Sequence, residues 1–129
     1  MQVDFAESRR GTVGIEWELM LADPATGDLV GRGPQIIDAL RTDDDPAIRY
    51  TATGELLTNT VELTSGVGRD VAEAMGDIED AIAAVRTVSE PLGVELMCAG
   101  SHPFAQWYDQ AVTDKTRYHT LIERTQWWG

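Results

Sequence analysis

Near the start of the chain, residues 12–22, TVGIEWELMLA, alternate with a period of two. Val13, Ile15, Trp17, Leu19 and Leu21 fall on one side and Gly14, Glu16, Glu18 and Met20 on the other, the pattern of an extended strand with one apolar face. The polar face carries two carboxylates at i and i+2, roughly 6.5 to 7 Å apart and pointing the same way. Two such anions repel each other, and a hard divalent cation that prefers oxygen ligands is the natural group to lie between them. The plain alternative is a surface strand of an antiparallel sheet whose acids are solvated.

A strand of this kind needs an apolar layer to lie on, and a chain of 129 residues, 43% hydrophobic and 25% charged, is long enough to supply one within a single domain. The charge balance narrows the partners. Ten Lys plus Arg against 22 Asp plus Glu leave a net charge of -12, which repels phosphate backbones and argues against nucleic acid or an anionic membrane. An acidic chain that handles a nucleotide needs metal ions to do so. The single cysteine, Cys98, excludes an internal disulfide and suits a reducing cytoplasm. No signal-peptide core and no window of 18 apolar residues can be found, so neither secretion nor membrane insertion is expected.

Beyond the first strand, the turn formers Asp23, Pro24, Thr26, Gly27 and Asp28 predict a hairpin into a short strand near Leu29 and Val30. Pro34 suits the first position of a short helix carrying Ile36, Ile37 and Leu40. Asp43, Asp44 and Asp45 read as a solvated linker. A brief strand is expected over residues 48–50. Another is expected around Val61 and Leu63, which alternate with Thr60, Glu62 and Thr64. Glu55 lies seven residues before Glu62, so a bulge or turn near residues 57–59 is required if both acids face one site.

The clearest helix is predicted over residues 69 to about 92, with Val71, Met75, Ile78, Ile82, Val85, Val88 and Leu92 inward and Arg69, Asp70, Glu73, Asp77, Glu79, Asp80 and Arg86 outward. A strand with Val94, Leu96 and a buried Cys98 on one face follows, then a last helix capped at Thr113. Trp107, Tyr108, Trp127 and Trp128 read as core or interface anchors. This order of elements predicts an α+β fold, a largely antiparallel sheet with helices on one face. The terminal tryptophans suggest a piece of a longer protein, with sheet edges through which copies could self-associate as a homo-oligomer.

Taken in order, GIEWEL at 14–19, ELLTNTVEL at 55–63, AGSHPFAQW at 99–107 and RYHTLIERTQW at 117–127 resemble the N-terminal part of the type 2 glutamate-cysteine ligases, the carboxylate-amine ligase family. That resemblance covers nearly the whole chain. It implies part of a glutamine-synthetase-like catalytic domain whose curved sheet holds ATP and metal ions on its concave side. Carried over residue by residue, it nominates Glu16, Glu18, Glu55 and Glu62 as ligands of Mg2+ or Mn2+. His102 and Arg117 become candidate contacts for substrate.

The activity so implied is ATP-dependent formation of a gamma-glutamyl amide through an acyl phosphate. The small-molecule partners would be glutamate, ATP and an amine such as cysteine, and the remainder of the polypeptide would complete the site. Further metal and phosphate ligands of the family come later than residue 129, and no GxxxxGK[ST] phosphate loop is present. The fragment alone is therefore expected to be inactive. A second class stays open, that of a non-catalytic acidic module that binds metal or a protein partner.

Overall fold

A computed structural model describes residues 11–40 and 47–125; the acidic run 43–45, Trp127 and Trp128 lie outside them. The alternating segment forms β1 (Glu16–Ala22). Leu19 and Leu21 are buried on its inner face, with Ile15 and Trp17 packed at the margin. β3 (Thr60–Thr64) pairs antiparallel with β1, setting Trp17 opposite Leu63, Glu18 opposite Glu62 and Leu19 opposite Val61. β2 (Thr51–Gly54) lies beyond β3, and β4 (Glu95–Met97) lies on the other side of β1. All three pairings are antiparallel, in the order β2-β3-β1-β4.

Two helices cover the inner face: α1 (Gly33–Leu40) and α2 (Val71–Ser89). The architecture is thus α+β, an antiparallel sheet with α1 and α2 on one side. Ile36 of α1 and Ile78, Ala81 and Val85 of α2 join Leu21, Val61 and Leu63 in a core with no measurable exposure. Full burial of each large side chain stabilises the fold by about 1.5–3 kcal/mol. α1 begins where it does because Gly33 lies against the chain at Thr58, whose carbonyl accepts from Gly33 N–H at 2.7 Å. A Cβ there would meet that oxygen at 2.7 Å. α2 begins at Asp70, whose carboxylate accepts from the Glu73 backbone. It passes through a 3-10 turn, Glu90–Leu92, and stops at Gly93, which adopts φ +67.

Several expectations need correction. The strand expected over residues 48–50 begins three residues later, because Arg49 leaves the sheet to bind Asp77. The inner face of α2 is built on Ala74, Ile78, Ala81 and Val85, while Val71 is 60% exposed; small alanines let the helix lie close to the sheet. Asp77, expected on the outer side, is buried, accepting from Gly66 N–H at 3.0 Å and from Arg49 Nε at 3.1 Å. The return arm of the first hairpin is a single bridge between Ala22 and Leu29. Cys98 is exposed, and accepts from the Trp17 indole at 3.1 Å. Trp107 and Tyr108 are exposed and packed edge to face on each other. Thr113 does not cap the last helix, α3 (Thr116–Thr125), but binds the chain at Glu55 and Leu56.

Asp77 ties three segments together, and its removal leaves the Gly66 N–H without its acceptor. Asp77→Ala should lower the unfolding free energy by about 2 kcal/mol, and Asp77→Asn, which keeps an acceptor, by less. Coincident urea midpoints for wild type and Asp77→Ala would show that this link contributes nothing.

Candidate functional site

The face of the sheet away from α1 and α2 carries the acids. Register performs the first step, because Glu18 and Glu62 are direct partners on β1 and β3. Side chains so opposed have Cβ atoms about 4.5–5.5 Å apart. Glu55 reaches them by the turn that its awkward spacing requires: β2 runs back along β3, with Thr53 opposite Glu62 and Gly54 opposite Val61. Glu55 is the next residue, at the start of the hairpin loop 55–59, and follows the side of Thr51 and Thr53.

One carboxylate oxygen from each of Glu18, Glu55 and Glu62 lies within 4.8 Å of the other two. Glu18 is exposed and the others half-buried. Glu16, the fourth acid named from the sequence, pairs with Thr64 one step along the same face and stands outside this cluster. Among the described residues the ion pairs lie elsewhere, Arg49 with Asp77 and Glu73, Arg69 with Glu73, and His119 with Asp114. The donor set is wholly carboxylate oxygen, which fits a hard cation such as Mg2+ or Mn2+ better than the softer metals that draw on thiolate and imidazole.

Crowding of the carboxyls favours the protonated form of Glu62. Glu62 is held above the ordinary carboxylate range, first by a hydrogen bond between its carboxyl and that of Glu55, then by partial burial and by the charge of Glu55. The Thr64 hydroxyl, donating to Glu62 Oε1 at 3.3 Å, opposes the shift, and the charge of Glu16 adds a little to it.

Next to the acids lies a cavity of about 240 Å3. Its wall includes Met20, two residues along β1 from Glu18, and Thr60, two residues before Glu62, so it opens on the same face. Leu57, Asn59, His102 and Trp107 contribute further, and no lining residue is Asp, Glu, Lys or Arg. The His102 ring is fully engaged with backbone. Nε2 lies 2.9 Å from the Gly27 carbonyl, which requires it to donate, and Nδ1 accepts from Ala105 N–H at 3.0 Å. Arg117 is exposed on α3 with its guanidinium over the Tyr118 ring, 5.2 Å from the centroid. Neither residue joins the acid cluster.

The model of glutamate-cysteine ligase family 2 matches residues 12–129. The chain belongs to that family. This family 2 chain is 53% identical over 131 residues to a protein of Leifsonia xyli subsp. xyli, covering 99% of the chain and 34% of the relative. To a protein of Clavibacter sepedonicus it is 49% identical over 130 residues, all of the chain and 33% of the relative. A third relative, from Mycolicibacterium paratuberculosis, is 46% identical over 127 residues, 98% of the chain and 32% of the relative. All three are provisionally named glutamate–cysteine ligase 2. The chain thus spans about a third of the length of the curated relatives it matches. Among its described residues no helix is long and apolar enough to cross a membrane.

The raised Glu62 fixes the sign of a pH effect. A carboxyl whose folded pKa is raised holds its proton more tightly in the native state. The stability it contributes is full below the unfolded value of 4.5 and is lost as pH rises through the folded value. In metal-free buffer, wild type should therefore lose stability relative to Glu62→Gln as pH rises above about 4.5. Parallel stability curves for the two proteins above that pH would contradict the raised Glu62.

Proposed function

We propose that this chain supplies one wall of an ATP-dependent carboxylate–amine ligase site, in which Glu18, Glu55 and Glu62 hold Mg2+ or Mn2+ and Glu16 assists from one step away. The observation that carries the reading is the meeting of three carboxylates, from β1, from the hairpin loop and from β3, on the sheet face away from α1 and α2, in a chain of this family. A cation held there would neutralise the repulsion between a glutamate side chain and a triphosphate and stabilise charge on the transferring phosphoryl group.

The reaction proposed is the gamma-glutamyl ligation that the relatives' names suggest. The terminal phosphoryl of ATP passes to the side-chain carboxylate of glutamate, and ADP leaves. The amine nitrogen then attacks the acyl carbon, phosphate departs, and the amide forms with loss of a proton. The acids act in this scheme as ligands rather than as bases. Their part is to be charged and held close before substrate arrives, which β1 and β3 accomplish through a fixed register.

The neutral cavity fits an uncharged part of a substrate, because a carboxylate or phosphate would lose hydration there and gain no charged partner. At about 240 Å3 it lies below the roughly 300–1,000 Å3 of drug-sized ligand pockets, so the nucleotide belongs outside it. His102 enters this reading as part of the cavity wall; a contact from its nitrogens to substrate would displace Gly27 or Ala105. Arg117 stacks on Tyr118, whose hydroxyl reaches the Gly54 carbonyl at 3.4 Å.

The test is metal-dependent release of ADP by the full-length polypeptide, with glutamate and a panel of amines. Loss of a ligand that supplies several kcal/mol of charge stabilisation should lower turnover by on the order of a hundredfold or more in Glu18→Gln and Glu62→Gln. Undiminished turnover in both variants would remove the acids from the mechanism and leave the family assignment alone standing.

A further inference from the structure

Glu55 is the member of the acid cluster that no strand holds. The β2–β3 ladder ends at the pair Gly54 and Val61, so the Glu55 carbonyl has no partner within the sheet. It has one outside. The segment 110–115 runs against the hairpin loop as a short extended strap, with a bridge between Val112 and Leu57. Thr58 N–H donates to the Ala111 carbonyl at 2.9 Å, and Thr113 N–H donates to the Leu56 carbonyl at 2.8 Å. The Thr113 hydroxyl donates to the Glu55 carbonyl at 2.6 Å. Lys115 Nζ donates to the Gly54 carbonyl at 2.8 Å. Three successive carbonyls, those of residues 54, 55 and 56, are therefore taken in turn by one segment.

Thr113 is the buried member of this strap. Its backbone and side chain bind neighbouring residues of the loop, and together they fix the peptide from which the Glu55 side chain departs. The carboxylate is held at its other end as well, since Glu55 Oε2 accepts from Leu56 N–H at 2.8 Å. A group that sets the direction of a ligand in this way acts on the site without touching what is bound there.

We propose that Thr113 is a positioning residue of the acid cluster, its hydroxyl fixing the Glu55 backbone so that the third carboxylate meets Glu18 and Glu62. The inference rests on the cation-site reading above, and is tested by Mn2+ binding rather than by turnover. Electron paramagnetic resonance titration of the chain at its full natural length gives the affinity directly. Thr113→Val, which removes the hydroxyl at nearly constant size, should weaken Mn2+ binding about ten- to a hundredfold, and Thr113→Ser should restore it.

Because Thr113 acts through Glu55, its substitution in a Glu55→Gln background should add almost nothing. Wild-type affinity in Thr113→Val, or an equal loss with and without Glu55, overturns the proposal. Thr113→Ala, which removes the hydroxyl without placing a branched methyl against the Glu55 carbonyl, decides the matter if Thr113→Val does not fold: weaker binding that depends on Glu55 supports the proposal, and unchanged binding overturns it. A wild type that does not bind Mn2+, or that binds it regardless of Glu18→Gln and Glu62→Gln, overturns the cation site itself and this inference with it.

Discussion

Glu18 and Glu62 face each other across adjacent antiparallel strands, which puts like charges at about the closest spacing a sheet offers. Nothing in that pair favours its own formation. The register is set from the opposite face, where Leu19 and Leu21 of β1 and Val61 and Leu63 of β3 are buried under α1 and α2. A slip of β1 by one residue would carry Glu16 and Glu18 into the core and expose Leu19 and Leu21, so the sheet has one acceptable alignment. Burial on one side thus holds together, on the other, groups that would separate if free.

The third acid depends on a different kind of order. Its loop is gripped from several directions: Gly33 N–H at the start of α1 takes the Thr58 carbonyl, Leu21 N–H takes the Asn59 carbonyl, and the strap takes the carbonyls of Gly54, Glu55 and Leu56. Asn59 is buried and donates its amide to Gln110, which joins the same loop to the wall of the cavity. A loop this heavily bonded behaves as part of the scaffold. That is the condition for a site assembled before its ligand arrives, where little reorganisation is needed on binding.

What the sequence discloses follows from what is periodic. β1 and the body of α2 announce themselves through spacing alone, and the seven-residue step from Glu55 to Glu62 carries a parity that demands the hairpin turn found at 55–59. Asp77 escapes the same logic. It is charged and sits among acids, so helical periodicity places it outward, yet an unpaired Gly66 N–H and the Arg49 guanidinium draw it inward. Thr113 reads in VTDKT as a helix cap and gives no sign of its actual role, because its partners are carbonyl groups more than fifty residues away, and backbone has no letter in a sequence. Cys98 lies on the apolar side by alternation but falls past the end of β4, where the sheet no longer covers it.

Charge divides the molecule along the same plane as burial. On the helical side Arg49 and Arg69 pair with Asp77 and Glu73, and Arg49 also binds the Val67 carbonyl. The open side gathers Glu16, Glu18, Glu55 and Glu62, and among the described residues none of the four is in an ion pair with Lys or Arg. Carboxyls crowded in this way favour the protonated form of Glu62, and a cation bound among them would have to displace that proton. In the proposed enzyme a divalent ion held on this face would supply the attraction that two acidic substrates require.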